Sequence, residues 1–264
     1  MNRLRVLTLN IWNRQGPWEE RLLLIREGIQ RLDPDIIGLQ EILAHESASQ
    51  AIAIAEGLGY ETAFGVANDF GSGFYFGNAV LSRFPILASR VFPLPNGGTD
   101  ESRSLLLADV DTPYGKLPFF VTHLNWKFHH GMVREAQVQA IAEHIKAEAP
   151  IQGLPPILVG DFNAEPDAAE IRFLRGLQSF GGKSTFLGDC FGQVGIGPGY
   201  TFDAIRNPFA ASTHEYPRRI DYVFVRGPDK HGRGKPLSAK VVFEELKDGT
   251  AATDHYGVYA EISI

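Results

Sequence analysis

Asp161 and Asn163 stand two residues apart in Gly160-Asp161-Phe162-Asn163-Ala164, directly after the apolar run Leu154–Val159. A run this short and apolar, rich in β-forming residues, reads as a fully buried strand. An acid and an amide at i and i+2, held at the exit of such a strand, can serve one reacting centre. Gly160 allows close backbone approach, and Ala164-Glu165-Pro166 turns the chain towards a helix. The same pair can also form an Asx-turn that merely ends a strand. For this stretch alone both readings stand.

Other polar residues gather where apolar runs end: Asn10, Glu41, His123, Asp221 and the pair Asp254-His255. Asn10 could cap a turn, Glu41 could start a helix and His123 could be a satisfied core histidine. Asp221 is harder to explain that way, because it interrupts the apolar strand pattern Arg219–Val225. A carboxylate so placed costs several kcal/mol unless it is paired or ligates a metal. Glu41, Asp161, Asp221 and Asp254 converging on one cleft would repel one another, so at least one cation is expected there.

These residues need a frame to bring them together. The chain has 264 residues, 44% hydrophobic and 21% charged, enough to bury a substantial core as one domain over residues 1–264. Strand patterns are expected at 3–12, 35–41, 60–65, 75–82, 86–94, 103–111, 116–124, 154–159, 219–225, 237–246 and 256–264. Helical spacing covers 19–32, 46–58, 132–148 and 167–177, and the glycine-rich stretch 180–201 reads as a long functional loop. Thr112-Pro113-Tyr114-Gly115 predicts a hairpin turn. Helices alternating with strands in each half suggest two sheets packed face to face with helices outside.

Seven segments, in this order, resemble motifs of the endonuclease/exonuclease/phosphatase superfamily: Thr8-Leu9-Asn10-Ile11-Trp12, Leu39-Gln40-Glu41, Leu81–Pro85, Thr122-His123-Leu124, Gly160–Ala164, Arg219–Tyr222 and Thr253-Asp254-His255. This is the fold of deoxyribonuclease I, AP endonucleases, neutral sphingomyelinases and inositol-polyphosphate 5-phosphatases. The resemblance implies an α/β (α+β) chain: a four-layer α/β/β/α sandwich of two packed mixed sheets, with the site at one end. It implies that Glu41 ligates a divalent cation, with Asn10 and Asp254 completing or supporting the shell. Asp161 would orient or deprotonate the attacking water, and Asn163 would hold that water or the phosphate. His255, oriented by Asp221, would bind the phosphoryl oxygens. His123 is similar to the second histidine of the deoxyribonuclease I and sphingomyelinase branches, where AP endonucleases usually carry a tyrosine.

The chemistry of phosphate-ester hydrolysis agrees with such a set, since it needs an activated water, stabilised equatorial oxygens and help for the leaving oxygen. A carboxylate–imidazole pair fixes the ring and favours its charged form. Oxygen ligands, with no cysteine cluster or zinc-like histidine spacing, favour Mg²⁺ or Mn²⁺. Arg103 stands where related proteins often carry an arginine near the site, although a surface ion pair would also explain it. Trp126, Phe128, His129 and His130 could line a substrate-facing loop or anchor a helix; Arg218 and Arg219 could touch phosphate or mark a strand edge. Lys230–Lys235 reads as a solvated basic loop.

The expected activity is therefore that of a metal-dependent phosphodiesterase of nuclease-like type. The alternatives are a phosphomonoesterase or inositol/lipid head-group phosphatase of the same fold, and a catalytically silent binding protein. The substrate could be a small phosphodiester, a nucleic acid or a phospholipid head group. A net charge of −6 argues against broad non-specific nucleic-acid binding. One cysteine excludes an intramolecular disulfide framework. No export signal or membrane-spanning run is visible, so a cytoplasmic location is expected, and no obligate protein partner is evident.

Overall fold

In the computed structural model, which describes residues 2–46 and 48–264, the first strand already shows the plan. Along β1 (Arg3–Asn10), Leu4 and Val6 enter one buried cluster while Leu7 and Leu9 enter another, so both faces are covered. The chain continues through α1 (Trp18–Leu32), β2 (Ile36–His45), β3 (Ala48–Ser49), α2 (Gln50–Ala55), β4 (Glu61–Gly71), β5 (Phe74–Ser82) and β6 (Ile86–Pro93). Then follow β7 (Ser104–Thr112), β8 (Gly115–His123), α3 (Gly131–Glu148), β9 (Ile157–Asp161), α4 (Ala169–Leu174), β10 (Gly188–Asp189), α5 (Cys190–Val194), β11 (Asp221–Val225), β12 (Pro236–Val242) and β13 (Gly257–Ser263).

One sheet runs β12-β13-β1-β2-β5-β4 with β3 paired to β2; the other runs β10-β11-β9-β8-β7-β6. Each holds one parallel pair, β1 with β2 and β8 with β9, among antiparallel neighbours, so both sheets are mixed. Val6, Ile36, Val80, Leu106, Val121, Val159, Val223 and Val258 meet between them, each contributing about 1.5–3 kcal/mol of burial. The outer face of the first sheet packs Leu7, Leu9, Ile37 and Leu39 against Ile25 and Ile29 of α1. On the second sheet Phe120, Leu158, Tyr222 and Phe224 pack with Val138, Ile141 and Ile171 of α3 and α4. The result is the four-layer α/β/β/α sandwich.

Gly38 of β2 sets the spacing of the layers close to the site. A Cβ there would lie 2.3 Å from Val159 Cγ2 and 3.0 Å from Val121 Cγ2, so only glycine lets β2 approach β8 and β9 this closely. Glu41 lies three residues beyond Gly38, and Asp161 two beyond Val159.

Several expected elements differ in extent. The helix expected over 46–58 is α2 alone: Ser49 accepts a hydrogen bond from Ile52 N as its cap, and left-handed Gly57 and Gly59 follow its end. Ser47 of that stretch lies outside the described residues. The stretch 180–201 is more than a loop. It adds β10 to the sheet edge and buries Cys190 and Phe191, because Asp189 both caps α5 and pairs with Arg219. Among the described residues no helix is long and apolar enough to cross a membrane.

Candidate active site

The floor of the site lies where β1, β2, β8, β9 and β11 end or begin. Gly160, at φ +155, sits so close to β8 that a Cβ would stand 2.1 Å from Thr122 O. That approach aligns Asp161 with His123 on one side and with Asp221 on the other, as paired residues of neighbouring strands. Asp161 is buried; its Oδ1 accepts from Asn163 N at 2.9 Å and its Oδ2 from Asn10 Nδ2 at 3.0 Å. The Asx-turn considered for Asp161 and Asn163 is thus present, and it immobilises the carboxylate. Asn163 takes the left-handed φ of +49 that asparagine tolerates, and its Nδ2 donates to Leu124 O at 3.2 Å.

Glu41 interrupts β2 instead of closing it. The register with β5 shifts between Leu39 and Ile42, and Glu41 takes φ +60, a β-bulge that re-aims one side chain. Its Oε1 accepts from Asn10 Nδ2 at 3.3 Å and its Oε2 from Asn13 Nδ2 at 2.8 Å. Just before β13, Thr253 Oγ1 donates to Asn10 O at 2.8 Å, tying Asp254 and His255 to the end of β1. Asp221 is wholly buried at the start of β11, where its Oδ2 meets His255 Nδ1 at 2.9 Å.

Two histidines flank Asp161 Oδ2: His123 Nε2 at 3.4 Å and His255 Nε2 at 3.7 Å. Their environments are opposite. Burial disfavours a charge on His255, yet Asp221, Asp161 and Asp254 outweigh it and raise its pKa well above the ordinary value. Burial, then Arg103 and His255, push His123 well below it. Burial and the neighbouring Asp221 raise Asp161 to about 6, against the opposing pull of His255, Asn10 and the Asn163 amide. Asp254 is raised to about 7, chiefly by burial and, against the pull of His255, by Glu41.

Which of these groups could hold a cation? Donor atoms of Asp161, Asp221 and His255 all lie within 4.8 Å of one another. However, Asp221 Oδ2 accepts from His255 Nδ1 at 2.9 Å, a hydrogen bond that orients the ring and uses one atom of each group. The cluster has the geometry of a hydrogen-bonded relay. Glu41 and Asp254 offer carboxylate oxygens to a cation, Asp254 accepting only the weak 3.2 Å bond from Thr253 Oγ1, while Asn10 turns its amide nitrogen to Glu41 and its oxygen to Trp12 N at 3.0 Å. No Lys or Arg side chain bonds to Glu41 or Asp254 among the described contacts, so the negative charge there is not neutralised by a salt bridge.

The sequence matches the model of the Endonuclease/Exonuclease/phosphatase family over residues 7–255. The chain belongs to that family. Its chemistry is thus that of a phosphoesterase family whose members generally use divalent metals. The uncharacterized protein YbhP of Escherichia coli K12 is 30% identical over 173 residues, 60% of this chain and 66% of YbhP. Exodeoxyribonuclease III of Haemophilus influenzae is 29% identical over 153 residues, 54% of this chain and 52% of that enzyme. The matches therefore span just under two thirds and about half of those relatives' lengths. Among solved structures, D. rerio TDP2 complexed with a single-strand DNA product covers 100% of both chains at TM-score 0.80 and 22% identity. An endonuclease/exonuclease/phosphatase protein of Beutenbergia cavernae covers 100% of this chain and 72% of its own at TM-score 0.73 and 25% identity. These likenesses establish the deoxyribonuclease I-like fold.

Within this family member, one cleft of about 600 Å³ is lined by Glu41, His123, Asp161, Asn163, Asp254 and His255, with Arg103 and Trp126 on its walls. Two expected members do not line it. Asn10 lies beneath the floor, and Asp221 stands behind His255, so three of the four anticipated carboxylates face the cleft. Arg103 is buried against His123 and Glu101, unlike a surface ion pair. Trp126 is 55% exposed on the cleft wall. Arg218 reaches the cleft, stacked 4.6 Å over Phe128 and 5.5 Å over Phe202, whereas Arg219 turns away to Asp189.

Some residues at the site escaped the sequence reading. Asn13 holds Glu41, and Phe70 and Phe76 face the cleft from the β4–β5 hairpin. Arg21, fully buried, donates five hydrogen bonds of 2.7–3.3 Å to the carbonyls of Ile11, Trp12, Asn13, Gln15 and Ala252. It thereby clamps the loop after Asn10 to the segment before Asp254. It shares the buried face of α1 with Trp18 and Ile25, but its charge hides it from a search for apolar spacing.

Proposed function

We propose that the chain is a divalent-metal-dependent phosphodiesterase that cleaves single-stranded nucleic acid. The observation that carries the reading is the meeting, on one cleft floor, of a buried carboxylate (Asp161) with an Asp221-held imidazolium (His255), beside the oxygen cluster of Glu41, Asn10 and Asp254.

In this reading Asp161 takes a proton from the attacking water. Its raised pKa makes it a better base than an ordinary carboxylate. Asn163, fixed by its own backbone bond to Asp161, holds the water or a phosphoryl oxygen. His255 carries a second proton at Nε2, beyond the one Asp221 holds at Nδ1, because the surrounding carboxylates favour the charged ring, and it stabilises charge on the equatorial oxygens. Each such positioned group supplies roughly 10²–10⁴ in rate. Glu41 and Asp254, with Asn10, would hold Mg²⁺ or Mn²⁺, which when bound polarises the phosphate and steadies the leaving oxygen.

The substrate part rests on the walls. Trp126, Phe70 and Phe76 offer faces for stacking bases, and Arg218, paired with Glu215 and stacked on Phe128, lies on the same wall. The DNA product named with D. rerio TDP2 and the name of the Haemophilus influenzae relative point the same way. The test compares bis-(p-nitrophenyl) phosphate, p-nitrophenyl phosphate and a single-stranded oligonucleotide, with Mg²⁺, with Mn²⁺ and with EDTA. The expected result is EDTA-sensitive cleavage of the diesters, fastest on the oligonucleotide. Equal rates in EDTA would defeat the metal claim, and preferential release of inorganic phosphate from the monoester would defeat the diesterase claim.

A further inference from the structure

Arg103 precedes β7 and points its guanidinium at β8, where Nη1 lies 3.0 Å from His123 Nδ1. A guanidinium has only donors, so the partner nitrogen must accept. Nδ1 of His123 therefore carries a lone pair, and the single proton of the ring sits on Nε2, the nitrogen 3.4 Å from Asp161 Oδ2. Protonating Nδ1 would set two donors against each other in a buried place. Nothing else could take Arg103's position easily, because its Nη2 is drawn the other way by Glu101 at 3.4 Å.

We propose that Arg103 is a positioning residue that holds His123 as its uncharged Nε2–H tautomer, a fixed hydrogen-bond donor beside Asp161 that cannot become a second imidazolium. This deepens the phosphodiesterase reading and rests on it for its purpose, though not for its geometry. The charged and titratable groups facing His123 are Arg103, Asp161 and His255, with Glu101 behind Arg103. His255 is already held as a cation by Asp221. Were His123 also charged, two imidazolium groups would grip one carboxylate oxygen and draw Asp161 into an ion pair, away from water. Arg103 divides the labour: one histidine gives charge, the other gives a neutral N–H at every pH at which the protein is folded. The low pKa of His123 agrees with this, but the donor count at Nδ1 is what requires it.

The direct test is long-range proton–nitrogen correlation NMR on ¹⁵N-histidine protein, with His123 assigned by the signals lost in His123→Gln. In the wild type, with or without Mg²⁺, His123 should show a bare Nδ1 and a protonated Nε2, unchanged between about pH 8 and pH 5.5. In Arg103→Met the same signals should average between tautomers, and His123 should take up a second proton more readily than in the wild type, although burial and His255 still oppose it. A kinetic readout accompanies it. Arg103→Met should lose about threefold or less in kcat at pH 8 and more at pH 6, as a histidine no longer held by Arg103 takes up a second proton more readily. In the His123→Gln background, where the amide N–H cannot gain a proton, Arg103→Met should add no pH-dependent loss. A wild-type His123 protonated at Nδ1, or one that titrates across this range, overturns the proposal, as does an Arg103→Met spectrum identical to wild type. If no phosphodiester is cleaved but the tautomer is as stated, the functional reading fails and this one stands.

Discussion

Asn10 and Asp161 belong to different sheets, yet the amide of one donates to the carboxylate of the other at 3.0 Å. The same nitrogen also reaches Glu41 at 3.3 Å, so one side chain at the end of β1 joins the proposed base to a proposed cation ligand. Asn10→Ala should lower kcat on a phosphodiester by about ten- to a hundredfold, the worth of one hydrogen bond to a charged group. Steady-state kinetics at saturating Mg²⁺ would check it. A change confined to KM would point to substrate binding instead.

Asp221 gives the second prediction. Asp221→Asn keeps the volume behind His255 but removes the charge that holds Nδ1–H and favours the imidazolium. We expect kcat to drop about 10²–10⁴-fold while far-ultraviolet circular dichroism stays unchanged. Wild-type turnover in this variant would remove Asp221 from the mechanism.

Acidification has two readouts with opposite signs. Burial and Asp221 raise Asp161 to about 6, and a base must be unprotonated, so kcat/KM should fall as pH drops through about 6. Stability of the metal-free protein should go the other way. Asp161 and Asp254, at about 6 and about 7 in the folded chain, keep protons that the unfolded chain has lost above its ordinary carboxylate value. The native state therefore binds more protons between about pH 4 and 7, and stability declines as pH rises through that window. Denaturant titrations in EDTA would measure the slope; saturating Mg²⁺ should flatten it.

A cation on Glu41, Asn10 and Asp254 should stabilise the fold by mass action, by about 2.7 kcal/mol at a hundredfold excess over Kd. Glu41→Gln should abolish the Mg²⁺-dependent rise in melting temperature and the EDTA-sensitive activity together. If the rise persists, Glu41 is not a ligand.

Arg21 supplies the fifth. Replacing it by methionine strands five buried or half-buried carbonyls and frees the loop carrying Asn13. We expect a loss of at least about 3 kcal/mol in stability and a weaker Mg²⁺ response, both measurable by thermal melts with and without Mg²⁺.

How much of this was written in the sequence depends on how local the signal is. Strand ends such as Asp161 and His123 are legible because a continuous apolar run stops there, and Glu41 and His255 of the recognised motifs line one cleft. The apolar stripe of the first helix misleads: Leu23 faces solvent, while Arg21 is buried beneath Trp12 and Trp18. A charged residue on a buried face is invisible to hydrophobic periodicity, since its partners are backbone carbonyls distant in the chain. The bulge at Glu41 is hidden for a similar reason, because a register shift belongs to the pairing with β5 and not to β2 alone. The sequence leaves Arg103 between a substrate-binding place near the site and a surface ion pair; only the fold shows that it faces His123.

The pairing of β1 with β13, which sets Thr8 opposite Val258, carries a consequence for biosynthesis. Asp254 and His255 are made some 240 residues after Asn10, as the difference of their numbers shows. A polypeptide released before β13 would hold Asn10, Glu41 and Asp161 but no imidazolium and an open edge on β1. The cleft is therefore complete only once β13 has joined β1.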